Sequence, residues 1–291
     1  MAERARHISV AALNIAFEDS LLHDDAKAYG QLLQAIYQIN EFVELRGERV
    51  VTLDSLSGPL TGPMTGSIVT MMNIDRWAWY NTRLHRPASE TELSRIRVPA
   101  NMAANYREFD FVFFPGSHRL IFLTKYGQTR LAPLTASSFI EQLCSRKAIR
   151  DRFGVVNVTI EQEPKTLEAI LNADNLRTLD ISIKLPNAGL GSFDAAVAES
   201  LQNMNASRGQ LSLTATAGAG LKPDEPTRAA AKVALSNGDV TGTVKEEGVT
   251  KEVSTKDYPI VGTGIYRPSK ESRLMAMMRT ARTLLNRIVN D

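Results

Sequence analysis

Hydrophobic and polar positions follow two different spacings along the first half of the chain. Residues 7–17 form an apolar run that suits a strand, and apolar side chains then recur at helical spacing (Leu32, Leu33, Ile36 and Ile39). The same criteria predict four more strands and one more helix: residues 49–56, 67–74, 108–114 and 118–125, then 135–151. Because Pro115, Gly116 and Ser117 supply turn chemistry, the last two strands are expected to pair antiparallel.

Strand and helix patterns alternate more regularly in the second half. The predicted order is strand, helix, strand, helix, strand and helix: residues 155–160, 164–173, 176–185, 193–203, 210–215 and 225–235. Crossovers through helices favour parallel neighbours, so parallel pairing is expected here. Three strand-like segments close the region: residues 239–245, 250–254 and 260–266.

The last segment of the chain has the pattern of an amphipathic helix. Pro268 stands at a favourable early position, and seven apolar residues fall within about 120° of a helical wheel. They are Leu274, Met277, Met278, Ala281, Leu284, Leu285 and Ile288. This spacing would also suit packing against a second copy of the chain.

Together these elements predict an α+β fold. We expect mixed or antiparallel sheets with helices packed on one face, two sub-domains and a long C-terminal amphipathic helix. The predicted boundaries are an N-terminal α+β domain over 1–152, a C-terminal α+β domain over 153–266, and a basic amphipathic helix over 267–291.

Composition adds three constraints. With 291 residues, 43% hydrophobic, the chain is an ordinary globular protein, and its net charge of +2 does not by itself imply a nucleic-acid partner. Charge is nevertheless uneven, because residues 267–291 carry 6 basic and 2 acidic groups. The single cysteine, Cys144, excludes an intramolecular disulfide, and no apolar run is long enough to span a bilayer. We therefore expect a cytoplasmic protein with no membrane partner.

Motifs for catalysis are missing from the sequence. It contains no P-loop, GxGxxG or GxSxG pattern, and its histidines lack metal-ligand spacing. Glu163, Pro164 and Lys165 match the acid-x-Lys triplet of magnesium-dependent nucleases, but proline disfavours the central strand that this triplet requires. The sequence therefore favours a binding protein over an enzyme, without cofactor or metal, and a metal-dependent nuclease stays open as the alternative.

Two segments have the composition of a nucleic-acid contact. In the first, Trp77 and Trp79 are interleaved with Arg83 and Arg86, which is typical of surfaces that stack on unpaired bases and pair with phosphates. The tryptophans could instead fill the core. The second is the terminal helix, whose arginines lie outside the apolar stripe and would meet either solvent or phosphates: Arg273, Arg279, Arg282 and Arg287.

Four stretches of the sequence resemble a bacterial family described as a domain of unknown function, number four-seven-four-seven. They are NIDRWAWYN (73–81), FDFVFFPGSHRLIF (109–122), LDISIKLPNAG (179–189) and STKDYPIVGTGIY (254–266). More loosely, the order of elements is similar to the phage-defence proteins of the RexA and KwaB type. That resemblance implies dimeric, nucleic-acid-associated proteins of antiviral defence.

These observations lead to one expectation and two alternatives. We expect a bacterial antiphage-defence protein that binds DNA or RNA with little sequence specificity and acts as a homodimer. The alternatives are the metal-dependent nuclease effector and a protein-interaction or regulatory subunit that works with a partner protein of a defence operon.

Overall fold

A computed structural model describes most of the chain. It covers residues 4–18, 22, 25–45, 49–72, 79–97, 99, 101–186, 192–246 and 249–290, with only the backbone of 192–194 and 246.

The first part of the chain is rich in strands. Its elements are β1 (Arg6–Phe17), α1 (Ala26–Ile39), β2 (Val43–Leu45), β3 (Arg49–Ser57), β4 (Met64–Met72), β5 (Tyr80–Asn81), β6 (Arg86–Pro87), α2 (Glu90–Leu93), β7 (Ala104–Phe114), β8 (Arg119–Tyr126), β9 (Thr129–Arg130), α3 (Pro133–Cys144), α4 (Lys147–Phe153) and β10 (Val156–Ile160). The remainder consists of α5 (Pro164–Leu171), β11 (Leu176–Lys184), α6 (Ser192–Asn203), β12 (Arg208–Thr214), α7 (Glu225–Asn237), β13 (Gly238–Glu246), β14 (Val249–Ser254), β15 (Val261–Tyr266) and α8 (Arg273–Asn290). The predicted α+β class is confirmed.

A large antiparallel sheet forms the centre of the molecule. Within the described residues it has nine strands in the order β10-β1-β8-β7-β4-β3-β2, with β15 beside β1 and β9 beside β8. The antiparallel pairing predicted from the sequence is present, since β7 pairs with β8. Strands β3 and β4 also form an antiparallel pair. Strand β1 is buried from Val10 to Phe17 because helices cover both of its faces.

Helices lie on both faces of the large sheet rather than on one. The ring of Phe17 in β1 contacts Tyr29 of α1 and Phe153 of α4. Val10, seven residues earlier and therefore on the opposite face, lies on the side of α8. The close approach of α8 to β15 requires glycine, since a Cβ on Gly264 would come within 2.2 Å of the Thr280 hydroxyl.

This packing buries much of the apolar stripe of the terminal helix. Met277, Ala281 and Leu284 are buried in the core of the same chain, against the large sheet. The stripe predicted from the sequence is therefore real, but most of it is covered by this chain and is not available to a second copy.

The second sheet is smaller and entirely antiparallel. Its order is β12-β11-β13-β14, with α5 and α7 packed against it. The expectation of parallel neighbours was wrong, because β11 pairs antiparallel with both β12 and β13. The connection through α6 begins and ends at the same end of the sheet, since Lys184 at the end of β11 pairs with Arg208 at the start of β12. Strands β10 and β15, which the sequence analysis placed in the second domain, both pair with β1 of the large sheet.

Candidate nucleic-acid interface

Arg273, at the start of α8, is bound by carboxylates of the large sheet. Its Nε and Nη2 atoms donate to the two carboxylate oxygens of Asp110 at 2.6 and 2.8 Å, and Nη2 also reaches Glu108 at 3.3 Å. The guanidinium carbon lies 4.6 Å from the ring centre of Tyr126. The hydrogen bonds to Asp110 raise the pKa of Arg273 above its ordinary value. This arginine therefore attaches the helix to β7 and β8.

Two of the other three predicted arginines of α8 are also paired. Arg279 forms an ion pair with Glu271 at 2.9 Å, and Arg287 donates to both oxygens of Glu163 at 2.6 and 2.7 Å. Only Arg282 is exposed and forms no ion pair with a residue that the structure describes. Sequence periodicity could not predict these pairs, because three of the four carboxylates lie more than 100 positions from the arginines they bind. The helix therefore offers phosphates much less free charge than its sequence indicates.

The tryptophan and arginine segment is described in part. Trp77 lies outside the described residues, whereas Trp79 precedes β5 and is 38% exposed. Strands β5 and β6 form a small hairpin whose turn carries the exposed Arg83. The structure therefore leaves Trp79 and Arg83 accessible, as a binding surface requires.

Arg86 has a structural role in the same hairpin. It forms an ion pair with Glu92 at 2.9 Å, and the Glu92 carboxylate also accepts from the backbone N–H of Ser89 at 2.7 Å. These contacts, with the Ser89 N–H as the largest contributor, lower the pKa of Glu92 from 4.5 to about 2. The arginine is thus occupied in closing the hairpin onto α2.

Strand topology brings distant parts of the chain to one end of the large sheet. In antiparallel neighbours, the start of one strand lies beside the end of the next. Accordingly, Arg6 at the start of β1 pairs with Tyr266 at the end of β15, and Arg49 at the start of β3 pairs with Met72 at the end of β4. Met72 in turn pairs with Ala104 at the start of β7. Residues 73–103, including the β5 and β6 hairpin, therefore connect two strands at this same end.

Six basic side chains gather at this location, which we call the basic sheet end. They are Arg4, Arg6, Arg49, Arg107, Lys125 and Arg130. Arg4, Arg6 and Lys125 line an open depression of about 740 Å³ together with Tyr126 and Tyr266, and the other three line a smaller one. The two depressions are adjacent, because Lys125 and Arg130 are register partners.

The charge of the basic sheet end is not neutralised within the described part of the chain. None of its six cations forms an ion pair with a residue that the structure describes, in contrast to three of the four arginines of α8. Arg107 has only a neutral partner there, the side-chain oxygen of Asn105 at 3.3 Å. Uncompensated cations at the surface attract a polyanion over several ångströms.

Tyr106 of β7 is an aromatic side chain at the same end of the sheet and is 63% exposed. Because it precedes Arg107 in the strand, its ring lies on the opposite face, where its charged neighbours are Glu108, Asp54 and Arg273. An exposed ring of this kind can stack on an unpaired base. Sequence analysis missed the basic sheet end because its six cations are spread over positions 4 to 130. The one signal in the sequence that could have grouped these cations was their position near the ends of predicted strands.

Catalytic arrangements are not seen in the described residues. Glu163 precedes the first residue of α5 and Pro164 occupies its first turn, so the triplet considered for a nuclease begins a helix instead of lying on a strand. The ranges that the structure describes contain no group of three or more His, Cys, Asp or Glu side chains that could hold a metal ion. Among its helices, none combines the length and apolar character needed to cross a membrane.

Comparison with known proteins identifies the family of the chain. No curated protein matches the chain. A family model described as a domain of unknown function, DUF4747, matches residues 6–282, which is nearly the whole sequence. The chain therefore belongs to the DUF4747 family.

Proposed function

We propose that this protein binds single-stranded nucleic acid through the basic sheet end. The observation that carries the proposal is the group of six cations without ion-pair partners in the described residues, from strands that are far apart in sequence. Phosphate contacts of this kind supply affinity that does not depend on base sequence. We expect low sequence specificity, because the cations at the strand ends would contact the phosphates, which are the same for every base sequence.

Exposed aromatic side chains support single strands over duplexes. Tyr106 belongs to β7 at this end, and Trp79 lies in the connection that leaves from it. A duplex hides its base faces, whereas a single strand can stack them on such rings at about 1–3 kcal/mol per base. A role in phage defence, which the looser resemblance implies, stays a prediction about the biological setting of this binding.

Fluorescence anisotropy with labelled oligonucleotides tests the proposal. The probes are a mixed-sequence 20-nucleotide DNA, the matching RNA and the DNA duplex, at about 50 mM salt. The variant Arg6→Glu/Lys125→Glu/Arg130→Glu should weaken binding to both single strands by at least about tenfold, because three phosphate contacts become repulsive. The wild-type protein should bind the duplex more weakly than either strand.

A second triple variant controls for net charge. Lys165, Lys232 and Lys251 are exposed and lie on α5, α7 and β14, away from the basic sheet end. Replacing all three by Glu makes the same change in net charge and should leave the affinity within about twofold. Equal losses in the two triple variants, or a wild-type protein that binds none of the probes, would refute the proposed interface.

A further inference from the structure

Another polar cavity lies between the two sheets. It has a volume of about 200 Å³ and is lined by Ser138 and Glu141 of α3 on one side. Strands β11 and β12 contribute Lys184 and Arg208 on the other side, and Lys256 follows β14. We call this cavity the α3 cleft. Clefts between packed units are common positions for small-molecule sites.

Cations of the α3 cleft are only weakly compensated. Arg208 donates from both Nε and Nη2 to the hydroxyl of Ser182, at 3.0 and 2.7 Å, so its partner is neutral. Lys184 reaches Glu141 at 3.7 Å, which is a long ion pair. Lys256 is exposed and has no ion pair with any residue in the described ranges. An arginine fork near two lysines matches the geometry and charge of a phosphate group.

Gln162 forms part of the wall of the same cleft. Its side chain is buried, with 3% exposure, and its amide nitrogen donates to the carbonyl oxygen of Gly238 at 2.6 Å. The amide oxygen has no hydrogen-bond partner among the described residues. That oxygen has almost no exposed surface, so it is not offered to a ligand in the cleft. The carboxylate of Asp239, which also lines the cleft and is partly exposed, is the acceptor that a ligand hydroxyl can reach.

We propose that the α3 cleft binds a small phosphate monoester that carries free hydroxyl groups. Its phosphate would contact Arg208, Lys184 and Lys256, and a hydroxyl would donate to the carboxylate of Asp239. None of the residues that line the cleft belongs to the basic sheet end, so the two sites are separate. A ligand here would touch both α3 and the small sheet and would therefore stabilise their contact.

Calorimetric titration and thermal unfolding with three probes test this proposal. At constant ionic strength, ribose 5-phosphate should bind and raise the Tm, inorganic phosphate should bind at least about tenfold more weakly, and ribose should have no effect. Equal binding of inorganic phosphate and ribose 5-phosphate would overturn the role of Asp239 as the acceptor for a ligand hydroxyl. No binding of ribose 5-phosphate up to about 10 mM would overturn the site.

Two matched double variants test whether ribose 5-phosphate binds in the α3 cleft. Arg208→Gln/Lys256→Gln should reduce the affinity for ribose 5-phosphate by at least about tenfold. Lys222→Gln/Lys251→Gln removes the same charge from exposed positions outside the cleft and should keep the wild-type affinity. The cleft variant should also retain oligonucleotide binding, which separates this site from the proposed interface. Equal losses in the two double variants would contradict the assignment.

Discussion

Arg119 and Glu161 form a buried ion pair, with 2.5 Å between Nε of the arginine and Oε1 of the glutamate. The pair joins β8 to the residue that follows β10. It continues to α7, which packs on the second sheet, because the hydroxyl of Ser236 donates to the other oxygen of Glu161 at 2.7 Å. Asn14 of β1 likewise donates to the side chain of Asn237, at 2.9 Å. A buried polar network thus connects the large sheet to the end of α7.

Removing one member of this pair should destabilise the protein strongly. Glu161→Leu leaves the Arg119 guanidinium buried without its carboxylate, and we expect a loss of about 3–5 kcal/mol in the free energy of unfolding. The double variant Arg119→Met/Glu161→Leu should recover part of that loss, because no charge then remains buried. Urea unfolding measures both values. A double variant less stable than the single one would contradict this explanation.

Arg273 should contribute to stability rather than to binding. Arg273→Ala removes the paired hydrogen bonds to Asp110 and the contact with Tyr126, so a loss of about 2–4 kcal/mol is expected. Arg282→Ala, at an exposed position of the same helix, should stay within about 0.5 kcal/mol of wild type. Thermal and urea unfolding of the two variants make the comparison. Similar stabilities would argue against the ion pair as the attachment of α8.

The terminal helix should contribute little to nucleic-acid affinity. Arg282→Glu reverses the one predicted arginine of α8 that is exposed and has no ion pair with a described residue. We expect the Kd for the single-stranded oligonucleotide to change by less than about twofold, whereas Arg6→Glu should weaken binding by about threefold or more. A larger loss of affinity for Arg282→Glu than for Arg6→Glu would indicate that α8 forms the interface.

Cys144 should be unreactive in the folded protein. Burial raises the pKa of its thiol from 9.0 to about 12, so the thiolate that reacts with alkylating reagents is scarce at pH 8. Iodoacetamide should modify the protein rapidly only in denaturant. Between pH 9 and 12 the unfolded chain loses this proton and the folded chain keeps it, so stability should fall as the pH rises. Fast modification under native conditions would show that the thiol is accessible.

Local patterns predicted much of the fold. The run at residues 7–17 became β1, and the turn residues at 115–117 became the connection between β7 and β8. The apolar stripe of α8 was also correct in its buried positions. These features depend on neighbours in sequence, where period and turn chemistry are informative.

Pairing across the chain could not be predicted in the same way. The return of β15 to β1 joins residues about 255 positions apart, and the ion pair of Arg273 with Asp110 spans 163 positions. Neither leaves a periodic signal. Because such contacts cannot be predicted from local patterns, the sequence did not show that the arginines of α8 form ion pairs. For the same reason it did not show that six cations from separate strand ends form one surface.

The salt dependence of oligonucleotide binding tests the central claim most directly. If the six cations of the basic sheet end each neutralise a phosphate, the logarithm of the association constant should fall against the logarithm of salt concentration with a slope of about −4. For Arg6→Gln/Lys125→Gln/Arg130→Gln the slope should be about −2. A slope near zero for the wild type, or the same slope for both proteins, would contradict the claim.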